Sequence, residues 1–347
     1  MSEKRKAVAL ISGGLDSLLA ARVVQEQGVH VEGINFFTGF CVEGHTHAIR
    51  KKDRNKPKRN NALWVAEQLG MKLHIVDIIE EYKEVLFNPK HGYGANMNPC
   101  LDCKIFMVQK AHEWIKDNGF DFIITGEVMG QRPMSQRKDT MPVIARDSGA
   151  DDLLLRPLCA KNLPETLPER EGWVKREELY DFSGRSRKPQ MALAKKFGFE
   201  DYAQPAGGCC FLTDEQYSRK LADLWESRGE KSYEMDDIML LKVGRHIRPN
   251  PDFKMIISRE EGEGKFMQGY RNQYVSLRTT THPGPLALID GDVSEENLQL
   301  AARVLARYGK GKMESSVQVE IREKDGAVRN IDVAPMGPLE VKQEWIL

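Results

Sequence analysis

The first half of the chain alternates short apolar runs with amphipathic helical patterns, and this alternation limits the possible folds more than any other feature. Ala7–Ile11 and Val29–Phe37 have the composition of buried strands, and a helical pattern over Asp16–Gln27 lies between them. The same alternation continues with strands at Lys72–Ile78, Phe120–Thr125 and Asp152–Leu158 and helices at Asn60–Leu69 and 101–118. This order predicts an α/β fold with a doubly wound, mainly parallel sheet, whose ligands bind beyond the carboxyl ends of the strands.

The pattern of apolar and polar residues changes in the last third of the chain. From about residue 236, short apolar runs are separated by charged or Gly/Pro turns, and a helix at Glu295–Tyr308 and a strand at Ser316–Glu323 follow. We therefore expect a catalytic domain over residues 1–178, a helical connector over 179–235 and a smaller α+β domain over 236–347.

Composition excludes several classes of protein. No segment approaches 18 uninterrupted apolar residues and the N-terminus lacks an apolar signal region, so we expect a cytoplasmic protein without a membrane span. Lys+Arg and Asp+Glu both total 51, so any nucleic-acid binding must use local basic patches. Six cysteines in 347 residues indicate metal binding or catalysis rather than a disulfide framework.

A glycine-containing loop, Ser12-Gly13-Gly14-Leu15-Asp16-Ser17, lies directly between the first strand and the first helix. Two glycines permit backbone conformations that point successive N–H groups at one anion, and the helix N-terminus adds a partial positive charge. A plain turn before a helix is the alternative. The loop lacks the lysine of the Walker A pattern and so predicts a different kind of nucleotide site.

SGGLDS after an N-terminal strand resembles the PP-loop of the ATP pyrophosphatase family, which includes GMP synthetase, NAD synthetase and the tRNA thiouridylases. The resemblance implies an adenine nucleotide alpha hydrolase-like domain that binds ATP and forms an adenylate with release of pyrophosphate. It assigns the ATP phosphates to Ser12, Gly13, Gly14 and Ser17, and a Mg²⁺ ion to Asp16. It also places Asn35 and Phe36, at the end of the second strand, near the adenine.

The cysteines form two groups that are distant in the sequence. Cys100 and Cys103 make a C-x-x-C pattern at the start of the long helix, and Cys209 and Cys210 follow a Gly-Gly pair. A helix N-terminus lowers thiol pKa values, so this arrangement suits metal binding or redox chemistry. A structural zinc site made of all four cysteines is the alternative, although adjacent cysteines are awkward joint ligands for one tetrahedral ion. Cys41 and Cys159 fit neither pattern and are expected to be buried or incidental.

Together with the PP-loop, these cysteines resemble those of iron–sulfur-dependent tRNA thiolation enzymes. The resemblance implies a 4Fe–4S cluster on Cys100, Cys103 and Cys210, with Cys209 as the alternative third ligand and one iron left open to carry sulfur. A cluster-free alternative stays open, in which Cys103 and Cys210 act as a persulfide and disulfide pair.

Three further segments suggest nucleotide or RNA contacts. TGEVMGQRPMSQ after the fourth strand is similar to a segment of PP-loop thiolation proteins, and this assigns Gly126 and Gln131 to nucleotide or target binding, with a solvated loop as the alternative. Arg50–Arg59 carries seven basic residues and is either an RNA contact or a solvated loop. The basic residues of 184–190 are candidates for guiding tRNA. The region from about residue 236 resembles the RNA-binding domain at the end of NFACT proteins.

The combined prediction is an ATP-dependent tRNA sulfurtransferase with Asp16, Cys103 and Cys210 at the centre of its chemistry. It would adenylate a uridine carbonyl oxygen and replace it with sulfur to give 4-thiouridine or 2-thiouridine. Its cofactors would be ATP, Mg²⁺ and the cluster, and its partners tRNA and a sulfur donor, either inorganic sulfide or a cysteine desulfurase persulfide. The rivals are a PP-loop ligase or amidotransferase acting on a small molecule, and a non-catalytic RNA-binding protein with a relic ATP site.

Overall fold

A computed structural model describes residues 4–42, 60–203, 209–292 and 294–347. These residues form two compact units, the first ending at Thr213 and the second beginning at Asp214. The segment predicted as a connector, 179–235, is therefore divided between the two units. Within the described ranges, no helix is long and apolar enough to cross a membrane.

A five-stranded parallel sheet forms the centre of the first unit. Its strands are β1 (Lys6–Leu10), β2 (His30–Phe37), β3 (Leu73–Asp77), β4 (Phe122–Ile124) and β5 (Leu154–Leu155). The order across the sheet is β3-β2-β1-β4-β5, and every pairing is parallel. The predicted α/β fold is confirmed. Since β2 and β4 flank β1 on opposite sides, the chain reverses its direction of travel next to β1, and this opens a crevice at the carboxyl end of that strand.

Helices cover both faces of this sheet. The helices in the described part of this unit are α1 (Leu15–Gln25), α2 (Asn61–Gln68), α3 (Ile79–Phe87), α4 (Cys100–Asn118), α5 (Thr140–Asp147), α6 (Leu167–Arg170) and α7 (Lys188–Lys196). Ala7 and Ala9 of β1 belong to the core shared with α1, α2 and α7. Val8 and Leu10 belong to the core shared with α4 and α5. Alternate residues of β1 thus face opposite cores, so the strand is apolar throughout, as expected for a strand buried on both faces.

The second unit is an α+β domain, as predicted, and its sheet is antiparallel. Its helices are α8 (Glu215–Arg228), α9 (Met235–Leu240), α10 (Glu261–Met267) and α11 (Glu295–Arg307), and its strands are β6 (Arg245–Asn250), β7 (Phe253–Ile257), β8 (Val275–Thr279), β9 (Leu286–Gly291), β10 (Val317–Arg322) and β11 (Val328–Val333). The strand order is β11-β10-β8-β9-β7-β6. Leu298, Ala301 and Leu305 of α11 lie in one core with the inner side chains of these strands.

Candidate active site

The predicted phosphate loop occupies the crevice at the carboxyl end of β1. Gly13 has a φ of 79°, a left-handed conformation that favours glycine. Gly14 caps α1 in an extended conformation and offers no side chain to the helix amides, while its own amide donates to Ser12 Oγ at 3.5 Å. Ser17 Oγ donates to the Gly14 carbonyl oxygen at 2.8 Å and lies 3.4 Å from Ser12 Oγ. The first-turn amides of α1 are thus left without a capping side chain, which is the arrangement that binds a phosphate.

Asp16 is held by one of its two carboxylate oxygens. Its Oδ2 accepts hydrogen bonds from Gln131 Nε2 at 2.7 Å and from Arg187 Nη2 at 3.0 Å. Gln131 is itself oriented by Gln190, whose Nε2 donates to Gln131 Oε1 at 2.9 Å. Asp16 Oδ1 is buried and has no hydrogen-bond partner among the described residues. A buried carboxylate oxygen without a partner is costly, and a Mg²⁺ ion prefers such an oxygen as ligand, so the residues present fit the predicted ion.

Gly126 lies against the backbone of the phosphate loop. A Cβ added at this position would be 2.5 Å from the carbonyl carbon of Asp16 and 2.6 Å from the Ser17 nitrogen. The glycine therefore allows the end of β4 to approach the start of α1. Close backbone packing is thus one reason for a glycine at this position, beside the predicted ligand contact.

Asn35 and Phe36 end β2 next to β1. Asn35 Nδ2 donates to the Ile11 carbonyl oxygen at 2.6 Å and so fixes the strand end beside the loop. The Phe36 side chain is 6% exposed and packs in the core on the α4 side of the sheet. An adenine contact at Phe36 would therefore involve its backbone, and the role of both residues stays a prediction.

Cys100 and Cys103 lie at the start of α4, as the sequence predicted. Burial raises the pKa of both thiols above the usual value. At Cys103 a hydrogen bond with Tyr82 partly offsets this effect on the pKa. Tyr82 is buried on α3, and its own phenol pKa is raised by desolvation and by the nearby cysteines. Tyr82 thus holds the Cys103 sulfur in a largely desolvated position.

Cys209 and Cys210 pair with the segment that contains Cys41. Cys41 and Cys210 form an antiparallel bridge, in which the Val42 amide donates to the Cys209 carbonyl at 3.3 Å. The hydrogen bond from Cys210 lowers the pKa of the exposed Cys209 thiol, and the positive charges of Arg132 and Lys104 act in the same direction. The pKa of Cys210 is raised by this hydrogen bond and by burial. The structure therefore brings Cys41 to the site, contrary to the expectation that it is incidental.

A 4Fe–4S cluster would require three thiolates that face one point. The donors are of the right kind, and the charges of Cys100, Cys103, Cys209 and Cys210 influence one another's ionisation. Each thiol has its own polar contact instead of a common centre, however: Cys100 Sγ lies 3.7 Å from Ser135 Oγ, and Cys210 Sγ lies 3.7 Å from Asn98 Oδ1. Among the described residues, no group of three or more His, Cys, Asp or Glu side chains could hold a metal ion. The thiols are thus suitable donors for a cluster, but the described side chains do not form a metal site, and the cluster stays a prediction.

Cys159 has a structural environment away from the other cysteines. Its Sγ donates to the Glu127 carbonyl oxygen at 3.2 Å, and burial raises its thiol pKa to about 12. Glu127 itself is paired with Arg156, whose Nε donates at 3.1 Å, and both side chains are almost fully buried. The expectation that Cys159 is buried agrees with the structure.

Four residues of the site were not assigned to it from the sequence: Cys41, Tyr82, Arg187 and Gln190. Arg187 and Gln190 lie in the basic segment that the sequence suggested as a tRNA guide, and the structure brings them to Asp16 and Gln131 instead. No local pattern marks Cys41 or Tyr82, because their contacts depend on the packing of distant segments. The basic run Arg50–Arg59 lies outside the described residues.

Comparisons with known proteins agree with this arrangement. Residues 5–158 match the family described as "tRNA methyl transferase HUP domain", and residues 244–346 match "NFACT protein RNA binding domain". The first match lies within the first unit and includes the phosphate loop. Both resemblances found in the sequence are thereby confirmed.

Individual relatives extend the comparison. The chain is 28% identical over 230 residues to "tRNA-specific 2-thiouridylase MnmA" of Petrotoga mobilis, which covers 64% of this chain and 59% of the relative. It is 25% identical over 324 residues to the protein of the same name from Christiangramia forsetii, covering 84% of this chain and 75% of that one. A solved 4-thiouridine synthetase in complex with RNA and ATP is similar over 61% of this chain and 46% of its own, with 23% identity and a TM-score of 0.40.

Proposed function

We propose that this PP-loop protein is an ATP-dependent tRNA sulfurtransferase that replaces a uridine carbonyl oxygen with sulfur. The proposal depends mainly on Gln131 and Arg132, two adjacent residues that connect the phosphate loop with the cysteines. Gln131 donates a hydrogen bond to Asp16 of the phosphate loop, and the charge of Arg132 acts on the thiols of Cys100 and Cys209. These contacts support a single site for ATP chemistry and sulfur chemistry.

In the first step, the phosphate loop binds ATP and the uridine carbonyl oxygen attacks the α-phosphorus. An O–P bond forms, the bond to pyrophosphate breaks, and the ring oxygen becomes part of an AMP leaving group. The amides of α1 and a Mg²⁺ ion on Asp16 would stabilise the charge that develops on the phosphates. Adenylation is needed because a uracil carbonyl oxygen is a poor leaving group.

In the second step, sulfur attacks the activated ring carbon and AMP leaves. A persulfide on Cys210 is one source of this sulfur, with Cys103 as its partner. If a 4Fe–4S cluster is bound, Cys100, Cys103 and Cys210 would hold it, and it would supply sulfide from an open iron. Arg132 and Lys104 favour the anionic form of Cys209 next to these thiols. Water must be excluded at this stage, because hydrolysis would return the original base.

The substrate would be a tRNA, bound in part by the second unit. The NFACT match over residues 244–346 supports an RNA-binding role for this unit. The relatives are named 2-thiouridylases, and this favours ring carbon 2 of the uridine over carbon 4. The sulfur donor, inorganic sulfide or a cysteine desulfurase persulfide, and the cytoplasmic location stay predictions.

Pyrophosphate release tests the activation step and separates the proposal from a small-molecule ligase. We expect release from ATP to depend on added unmodified tRNA and to fall about 100-fold in Asp16→Asn, as for the loss of one group that stabilises a transition state electrostatically. The matched control is Asp117→Asn, since Asp117 is an exposed acid at the far end of α4. Pyrophosphate release that does not depend on tRNA would favour a small-molecule ligase. Full pyrophosphate release by Asp16→Asn would exclude Asp16 from the ATP site.

Anaerobic purification followed by an iron and sulfide assay tests the source of sulfur. About four irons per chain, lost in Cys210→Ala and kept in Cys159→Ser, would support the cluster. An iron-free protein in which Cys103 and Cys210 are both essential would support the persulfide. A protein that contained only zinc would exclude the cluster.

A further inference from the structure

Cys41 is placed directly opposite Cys210 by a short antiparallel pairing of two segments. The Phe211 amide donates to the Phe40 carbonyl at 2.9 Å, and the Val42 amide donates to the Cys209 carbonyl at 3.3 Å. These two bonds flank the bridge between Cys41 and Cys210 and do not involve their own backbone groups. The cysteines therefore form a non-hydrogen-bonded pair, the type in which opposite side chains lie closest, with Cα atoms about 4.5 Å apart.

That spacing is compatible with a disulfide. Cα atoms joined by a disulfide are about 4.4–6.8 Å apart, so the backbone pairing of Cys41 and Cys210 permits the bond. Cys103 is less free to rotate, because its thiol is hydrogen-bonded to buried Tyr82. Tyr82 also packs against Phe40, with ring centroids 6.0 Å apart. The residue before Cys41 therefore contacts the same tyrosine that is hydrogen-bonded to Cys103.

We propose that Cys41 is the resolving cysteine of this site, the thiol that releases sulfur from a persulfide on Cys210. The inference rests on the proposed function and deepens it. The Cys41 thiolate attacks Sγ of the Cys210 persulfide, a new S–S bond forms between Cys41 and Cys210, and the old S–S bond breaks. Its electron pair leaves with the terminal sulfur as hydrosulfide, so the sulfane sulfur is reduced and the two cysteines are oxidised to a disulfide.

Hydrosulfide released in this way is the nucleophile for the adenylated uridine. It adds to the activated ring carbon and AMP departs with the original oxygen. The Cys41–Cys210 disulfide is then reduced by a dithiol reductant, which supplies two electrons and returns both thiols. A site with a fixed resolving cysteine releases sulfide only where the persulfide forms, next to the ATP site.

Disulfide mapping without ATP or tRNA tests this inference separately from the proposed function. Reduced full-length protein is incubated anaerobically with polysulfide, quenched with an alkylating reagent and digested with trypsin. The sequence gives three distinguishable peptides: residues 23–50 contain Cys41, residues 91–104 contain Cys100 and Cys103, and residues 197–219 contain Cys209 and Cys210. Fragmentation between Cys209 and Cys210 identifies which of the two is linked.

We expect the 23–50 peptide linked to the 197–219 peptide through Cys210, with one further sulfide released for each link beyond that displaced when polysulfide forms the persulfide. In Cys41→Ser the persulfide should stay on 197–219, and sulfide release should fall to the amount displaced by persulfide formation alone. Cys159→Ser is the matched control, because a serine hydroxyl keeps the hydrogen bond to the Glu127 carbonyl, and it should behave like the wild type. Circular dichroism and a second variant, Cys41→Ala, exclude misfolding as the cause.

Two outcomes would overturn the inference. One is a dominant link between 91–104 and 197–219 with sulfide release unchanged in Cys41→Ser. The other is an iron-loaded protein that makes thionucleoside in tRNA and never forms the Cys41 link. By contrast, a Cys41–Cys210 link in a protein that leaves tRNA unmodified would count against the proposed function while supporting this pairing.

Discussion

At the scale of single residues, the site depends on a few close contacts between backbone segments. Gly126 is the clearest of them, because a Cβ there would overlap the backbone of Asp16 and Ser17, which cannot move without disturbing α1. We expect Gly126→Ala to lower the free energy of unfolding by about 1–3 kcal/mol, the usual cost of overpacking, and to weaken ATP binding. Urea unfolding and an ATP titration measure the two effects.

Gly269→Ala is the control for this change, since nothing lies within 4 Å of the added Cβ. Unfolding of this variant should match that of the wild type. If Gly126→Ala were equally neutral, the close approach of β4 to the phosphate loop would be wrong.

The buried pair of Glu127 and Arg156 makes a second residue-scale prediction. Burial alone would raise the pKa of Glu127, but Lys104, Arg156 and the hydrogen bond from Thr125 outweigh it, and the pKa is lowered. A lowered folded-state pKa stabilises the protein above the unfolded-state pKa, and this stability is lost as the pH falls through the folded-state value. We expect Glu127→Gln to cost about 3–5 kcal/mol at pH 7, because it leaves the Arg156 charge buried and uncompensated.

Urea unfolding at a series of pH values checks this prediction. The difference between wild type and Glu127→Gln should narrow in acid, where the wild-type carboxylate takes up a proton. The double variant Glu127→Gln/Arg156→Met should recover part of the loss, since it removes the unpaired charge. A difference that stayed constant down to the acid transition would contradict the assignment.

At the scale of elements, the first turn of α4 positions the C-x-x-C cysteines. Asp102 connects this turn to the preceding loop. Its carboxylate accepts a hydrogen bond from the His91 amide at 2.9 Å and lies 2.8 Å from His91 Nδ1. We expect Asp102→Ala to cost about 1–2 kcal/mol, as for the loss of a helix cap, and to speed alkylation of the 91–104 peptide. Asp117→Ala, at the other end of the helix, should change neither quantity. Equal alkylation rates in both variants would show that the contact between Asp102 and His91 does not position the cysteines.

Much of the element structure was predictable from the sequence, whereas part of the site was not. The apolar runs of β1 and β2 and the Gly-Gly loop between strand and helix are local signals, so the sheet and the phosphate loop followed from them. Helix α3 was not predicted although Ile79, Tyr82 and Leu86 have helical spacing, and the contact of Tyr82 with Cys103 depends on packing that the local sequence does not show. Cys41 was missed for a related reason: it meets Cys210 through a two-residue pairing between segments that are far apart in the sequence. Arg187 was recognised as basic, but its partner Asp16 is distant in the chain.

At the scale of the whole molecule, the balanced charge means that the proposed binding of tRNA requires local basic groups. In the second unit, Arg271, Arg278 and Arg322 lie close enough for Arg278 and Arg322 to lower the pKa of Arg271, after the larger effect of burial. Arg278 is paired with Glu320 at 2.8 Å, and the buried Nε atoms of Arg271 and Arg322 have no hydrogen-bond partner among the described residues. This arginine group, Arg271, Arg278 and Arg322, is a candidate contact for RNA phosphates.

We expect Arg322→Ala to weaken tRNA binding and to reduce the slope of log affinity against log salt by about 0.7–0.9, the value for one phosphate contact. Filter binding at several salt concentrations measures the slope. Lys265→Ala is the control, because Lys265 is an exposed cation on α10 paired with Glu261. A salt slope equally affected by both variants would indicate a general charge effect and no contact at the arginine group.

The central claim, that ATP activation and sulfur transfer serve tRNA thiolation, is tested most directly by mass spectrometry of nucleosides. Unmodified tRNA is incubated with the protein, ATP, Mg²⁺ and a sulfur source, and is then digested and analysed. The proposed function predicts a uridine in which one sulfur has replaced one oxygen, present with wild type and absent with Asp16→Asn and with Cys210→Ala. Unmodified uridine in every sample, while ATP is consumed with a small-molecule acceptor, would contradict it.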